Sequence, residues 1–163
     1  AALDAELRLV SAGGERTIPV TEFMVGVKRT ALGPGELIAE IVIRTRPGWQ
    51  GYAKVGVRNA MVIAIASACL AVDESNERVA IALGSVAPTI VRCTEAEDQL
   101  SDAVDWSSGS VDPGAVERFG ALVSAASTPI TDHRSTADYR RHAVGVLGRR
   151  LARRAFAVEQ EPR

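Results

Sequence analysis

Lys54 and Arg58 stand four residues apart in "GYAKVGVRN", with Gly51 and Gly56 beside them. In an extended segment, residues an even number apart share one face, so the two side chains would project together. A pair of cations beside backbone that carries no Cβ can come close to a phosphate or an electron-rich ring. The same two residues also read as solvated cations at a strand edge, where charge discourages edge-to-edge association. Residue chemistry alone leaves both readings open.

Other reactive residue types occur without the spacing that chemistry needs. His133 and His142 are nine positions apart and far from Cys69 and Cys93, which matches no zinc or iron–sulfur pattern. No metal ligand and no catalytic residue is therefore assigned. There is no GxSxG, and no Ser, His and Asp stand in a recognised motif context. Asp132 and His133 are adjacent, and neighbours in sequence rarely aim at one another; Asp132 reads as a turn residue that bonds nearby backbone. "SAGGE" is glycine-rich but lies between two short apolar runs, so it reads as a hairpin turn and not a phosphate loop. Two cysteines without CxxC make no disulfide scaffold.

The elements that must carry these residues follow from periodicity. Residues 6–10 alternate, then come "SAGGE" and "RTIPV", which is strand, turn, strand. "TEFMVG" suits one helical turn, and "ALGPGEL" a loop. "LIAEIVIRT" (residues 37–45) alternates apolar and polar and predicts a strand, and "GYAKVGVRN" predicts another. "MVIAIASACLAV" (residues 61–72) is rich in β-branched residues, and "VAIALGSVAP" follows across the polar "DESNER". That predicts an antiparallel hairpin of buried strands.

After Pro88 the texture becomes helical. "TEAEDQL" reads as a short helix and "SDAVDWSSGSVD" as a loop. "PGAVERFGALVSAAS" places Val116, Phe119, Leu122 and Val123 on one helical face, with Pro113 at its start. In "TPITDHRSTADYRRHAVGVLGRRLARR", Ser135 and Asp138 resemble a capping box. Tyr139, Ala143, Val144, Leu147, Leu151 and Ala155 then recur at helical spacing, and Arg140, Arg141, Arg149, Arg150, Arg153 and Arg154 are expected on the solvated face. Strands first and helices after predict an α+β fold.

With 163 residues and 47% apolar residues, the chain can bury a core. Its net charge of −1 provides no global field toward nucleic acid or an anionic membrane. Residues 134–163 nevertheless hold eight arginines against Asp138, Glu159 and Glu161, leaving about −6 on the remainder. Such asymmetry suits docking inside a complex or a nucleic-acid contact; near-neutral charge and only 4% aromatics weigh against the second. No apolar run approaches the roughly 20 residues of a membrane helix. The chain starts without Met, inside a periodic pattern, and no signal-peptide pattern is seen, so it reads as cytoplasmic and as a piece of something longer.

Four blocks in order, "LGPGELIAEIVI", "YAKVGVRNAMVIAIAS", "IALGSVAPTIVRCTEAE" and "TPITDHRSTADYRRHAVGVLGRRL", carry a resemblance across nearly the whole chain. The sequence resembles the FAD-binding medium subunit of the molybdenum hydroxylases, the xanthine dehydrogenase and carbon monoxide dehydrogenase group. The resemblance implies that residues 1–47 are the end of the second FAD-binding subdomain. Residues 48–158 would form a C-terminal α+β domain, a small antiparallel sheet packed with helices, and residues 159–163 a tail.

It further implies FAD as cofactor, held by a partial site, since the family's glycine-rich pyrophosphate loops lie in a segment N-terminal to the matching region. Ile38 in "GELI" matches a position that packs against the flavin, Lys54 a lysine that contacts FAD, and Arg58 a basic position near the flavin ring that influences the electron acceptor. Val62 stands where the family often carries an acidic residue. The implied partners are an iron–sulfur small subunit, a molybdenum-cofactor large subunit and the N-terminal FAD-binding segment. The implied role is an oxidoreductase component that relays electrons from 2Fe–2S clusters through FAD to NAD, oxygen or a quinone; the isolated chain is expected to be inactive. The terminal-helix arginines, Arg140 and Arg141 among them, are expected to dock against partner subunits. The alternative is a non-catalytic subunit-docking module that binds no flavin by itself.

Overall fold

The computed structural model describes residues 1–59 and 61–158; the tail expected at 159–163 lies outside the described residues. The chain opens with β1 (Glu6–Ser11) and β2 (Gly14–Pro19), joined by a tight turn at Ala12 and Gly13. A single helical turn, α1 (Val20–Phe23), leads to a small hairpin of β3 (Met24–Gly26) and β4 (Arg29–Thr30). β5 (Leu37–Val42) then pairs antiparallel with β1, giving the order β2-β1-β5. Leu7, Leu9 and Phe23 form the core of this small unit. All six β5 residues are exposed, including Leu37, Ile38, Ile41 and Val42. An apolar strand at an unpaired sheet edge is a surface that folded proteins normally cover.

The second unit is built on the antiparallel sheet β6 (Gln50–Val55), β7 (Ala66–Asp73), β8 (Arg78–Gly84) and β9 (Val91–Arg92). The expected β7–β8 hairpin is present, turned by a 3-10 helix at Glu74–Asn76. β7 begins at Ala66, later than the apolar run suggested, because residues 56–59 and 61–65 lie outside the sheet. Helices α2 (Thr94–Ala103) and α4 (Ala137–Ala155) pack on one sheet face, and α3 (Pro113–Ala125) packs against both of them. Between them lie β10 (Val104–Asp105) and β11 (Ser110–Val111), and β11 pairs in parallel with β12 (Ala157–Val158). This is the expected α+β layout.

The core sits between the sheet and the helices. Leu70, Ile81 and Leu83 point inward against Leu100, Phe119, Val144 and Leu151, all almost without solvent exposure. The opposite face of β7 and β8 carries small residues, among them Cys69, Ala71 and Ala82, and the segment Ala1–Leu3 packs onto them. β7 is therefore largely covered on both faces, which explains its nearly continuous apolar composition.

α2 continues to Ala103, into the stretch read as loop, and does more than cover the sheet. Two of its side chains stand in for a strand along β8: Ser101 Oγ accepts from the Val79 N–H (2.9 Å) and Glu97 Oε1 from the Ile81 N–H (2.9 Å). Buried backbone donors are thereby satisfied where β9 is too short to reach them.

α3 starts as expected at Pro113, with Asp112 as its cap, accepting from the Ala115 N–H at 2.9 Å. α4 is capped one residue later than expected. Thr136 Oγ1 accepts from the Tyr139 N–H, while Ser135 is held in a bridge with Asp132. Asp138 is exposed and pairs with Arg141.

Candidate cofactor-facing site

β6 places Lys54 on the exposed face of the sheet, opposite Ser67 of β7, and beyond Tyr52, which faces Cys69. Its Nζ donates to the Val62 carbonyl at 2.7 Å. Lys54 and Arg58 do not share a strand face as expected, because β6 ends at Val55 and Arg58 lies in the following loop. The loop still keeps them neighbours, since the Lys54 ammonium reaches into the segment that folds back past Arg58.

The local sequence explains this folding back. A Cβ at Gly56 would stand 2.4 Å from Val62 Cγ2, so only glycine lets Val62 pack there. The base of the loop is closed by the Ile65 N–H donating to the Val55 carbonyl at 2.7 Å. Val57, Arg58, Met61, Val62 and Ile63 line an open cleft of about 330 Å³, together with Arg134. Val57, Met61 and Ile63 are strongly exposed, so the cleft combines uncovered apolar surface with two guanidinium groups.

Arg134 was not singled out by sequence reading. It is carried by a turn that Asp132 organises, accepting from the Arg134 N–H (2.9 Å) and the Ser135 N–H (3.1 Å). The expectation that Asp132 makes turn hydrogen bonds is met. These backbone bonds and the Arg140 guanidinium outweigh desolvation and hold the Asp132 carboxyl at a pKa of about 2. Its pairing with Arg140 is thus complete above the ordinary carboxylate pKa and is lost only as pH falls through about 2.

Arg140 corrects an expectation. It was placed on the solvated face, yet it is 5% exposed. Its Nη1 donates to the carbonyls of Ile65 (2.7 Å) and Ser85 (3.0 Å), and its Nη2 to Asp132 Oδ1 (2.7 Å). A side chain enclosed in this way cannot dock a partner. The signal was present in the spacing: 140, 144, 147 and 151 continue the buried stripe of α4, whereas Tyr139 is 47% exposed.

Ile38 lies elsewhere, on β5 opposite Leu9, with 44% of its surface exposed. The cleft that Arg58 lines does not include it. Two further cavities lie on the outer face of the larger sheet, where residues 1–5 and 43–50 cross it. There Arg92 binds Glu97 with two nitrogens and Asp4 and the Ala1 carbonyl with the third. Burial opposes the Asp4 carboxylate, but its bonds to Arg92 and Arg46 and the charge of Arg78 hold its pKa below the usual range. The segment before β1 is thus fastened to the second sheet by charge as well as by packing.

Among the described residues, no group of three His, Cys, Asp or Glu could hold a metal ion. Cys93 is buried, which pushes its thiol up to about 12 and leaves it neutral and unreactive. No described helix is long and apolar enough to cross a membrane.

Comparison with known proteins places this arrangement. Residues 51–155 match the family model for the CO dehydrogenase flavoprotein C-terminal domain. Residues 1–45 match the model for the FAD binding domain in molybdopterin dehydrogenase. The glyceraldehyde dehydrogenase medium chain of Sulfolobus acidocaldarius is 30% identical over 149 residues, covering 90% of this chain and 51% of that protein. The carbon monoxide dehydrogenase medium chain of Afipia carboxidovorans is 30% identical over 159 residues, covering 95% and 53%. The solved structure of reconstituted CO dehydrogenase from Oligotropha carboxidovorans superposes with a TM-score of 0.80 at 30% identity, over 94% of this chain and 53% of that one. The chain spans about half the length of the curated relatives it matches. It belongs to the CO dehydrogenase flavoprotein C-terminal domain family, preceded in residues 1–45 by a match to the FAD binding domain in molybdopterin dehydrogenase.

Proposed function

We propose that the chain is part of the FAD-binding medium subunit of a molybdenum hydroxylase. In this reading it relays electrons from the 2Fe–2S clusters of a companion small subunit, fed by a molybdenum-cofactor large subunit, through FAD to an external acceptor. The observation that carries the reading is the tandem match: residues 1–45 match an FAD-binding domain and residues 51–155 the flavoprotein C-terminal domain. Residues 1–47 would be the FAD-side unit and residues 48–158 the C-terminal one. The exposed apolar edge of β5 supports further polypeptide of the FAD-binding region packing there.

The residues present fit the cofactor. A flavin has flat apolar faces and electron-rich edge atoms, and the Lys54–Arg58 region offers exposed apolar side chains beside three cations. Bound FAD supplies the electron-carrying chemistry. Lys54 would donate a charged hydrogen bond to an electron-rich edge or phosphate oxygen, exchanging the Val62 carbonyl for the cofactor. Arg58 would set the positive potential facing the acceptor. Ile38 would pack against cofactor from the β5 side. Val62 brings no carboxylate to this place, so the positive potential is not offset there.

Lys54→Met tests the assignment. In the complex purified from its native source, FAD affinity should fall by about tenfold or more, the worth of one charged hydrogen bond. Flavin absorbance retained after dilution measures it. Unchanged retention would make Lys54 an ordinary surface cation. The second reading, a docking module that binds no flavin, is favoured by the same exposed β5 edge, and a flavin-free complex containing this chain would support it.

A further inference from the structure

The two sides of the cleft between Arg58 and Arg134 come from distant parts of the sequence, and one side chain touches both supports. Arg140 donates through Nη1 to the carbonyl of Ile65, the last residue of the loop that carries Arg58, Met61 and Val62. Through Nη2 it binds Asp132, whose carboxylate holds the turn carrying Arg134. The second Nη1 contact, to the Ser85 carbonyl, adds the end of β8, where Ser85 itself adopts φ +64°.

The placement is unfavourable unless it does something. Arg140 lies in the first turn of α4, where the helix dipole disfavours a cation. It is buried, and its Nε finds no acceptor. A guanidinium kept there against burial and dipole is held by the three acceptors that its fork brings together. An apolar side chain at this point would continue the buried stripe of α4. It would not connect the loop to the turn.

We infer that Arg140 is a positioning residue that fixes the two walls of the Arg58–Arg134 cleft relative to each other, the loop through Ile65 and the turn through Asp132. Its consequence for FAD rests on the reading of Lys54 and Arg58 as cofactor-facing cations. Lys54 grips the same loop at Val62, so Lys54 and Arg140 hold it at two points three residues apart. When Lys54 turns to the cofactor, Arg140 and the Ile65–Val55 backbone bond are left holding the base of that loop, and of the two only Arg140 ties it to the turn.

The test uses the native complex carrying Arg140→Met, Arg140→Lys or Asp132→Asn, with Lys54→Met beside them. Amide hydrogen exchange is followed in peptides covering residues 56–65, residues 130–136 and, as a control, α3. In Arg140→Met both cleft segments should exchange about tenfold faster while α3 stays protected, with FAD released faster than from the wild type. Arg140→Lys, which keeps the charge but not the fork, should lie between. Asp132→Asn covers the case in which Arg140→Met fails to fold. It retains an acceptor for the turn but loses the charged pair, and both segments should again loosen. Exchange unchanged in both segments, or rising only together with α3, would overturn the proposal. If both segments loosen but FAD release changes neither here nor in Lys54→Met, the positioning role stands and the cofactor reading of the cleft fails.

Discussion

Replacing Glu97 with alanine is expected to lower the stability of the protein by about 3–5 kcal/mol, the range found when one partner of a buried ion pair is removed. Glu97 is 2% exposed. Its Oε1 accepts from the Ile81 N–H and from Arg92 Nε, and its Oε2 accepts from Arg92 Nη2. Truncation leaves a backbone donor of β8 unpaired in the interior and leaves Arg92 without its bidentate partner. The damage extends further, since Arg92 also holds Asp4 and the Ala1 carbonyl over the outer face of the sheet. Glu97→Gln keeps an acceptor for Ile81 and should cost less than alanine. Denaturant midpoints of the variants, at unchanged slope, measure the difference. A loss below about 1 kcal/mol for alanine would show that water replaces the carboxylate at the β8 edge.

The second large effect is expected at a position with no side chain. Gly48 has φ +127°, and a Cβ there would lie 2.2 Å from the Val72 carbonyl oxygen and 2.9 Å from its carbon. The backbone is pinned at this spot on both sides. The Val72 N–H donates to the Trp49 carbonyl at 2.8 Å and the Glu74 N–H to the Pro47 carbonyl at 3.3 Å. Gly48→Ala therefore combines a disfavoured conformation with overlap against backbone that cannot rotate away. The two together should cost about 3 kcal/mol or more. Gly35→Ala is the control: Gly35 also has positive φ, at +74°, but nothing lies within 4 Å of its Cβ position. It should lose only the conformational part, about 1 kcal/mol. Equal melting temperatures for the two variants would contradict the close approach at Val72.

Much of this architecture is legible in the sequence because local rules and global packing agree. The β1–β2 turn, the β7–β8 hairpin and the apolar face of α3 all follow from period and turn residues. Disagreement arises where residue type masks position. Met61 and Ile63 look like core and are 99% and 67% exposed, because Gly56 lets the chain fold back as a loop. Arg140 looks like surface and is core, because three acceptors from residues 65, 85 and 132 meet it. Only the folded chain brings those acceptors together, so no local pattern could reveal them, although the helical spacing of 140 with 144, 147 and 151 did mark the position. For the site, Lys54 and Arg58 were visible as unusual cations beside glycines. Asp132 was legible as a turn residue, but its bond to Arg140 and the place of Arg134 were hidden in a stretch dominated by the basic helix that follows.

Whether this chain serves a flavin is read from the visible absorbance spectrum of the protein purified from its native source together with its companions. A flavin band is expected on a complex that contains this chain, diminished in Lys54→Met. A complex that holds the chain and its partners but carries no flavin would contradict it.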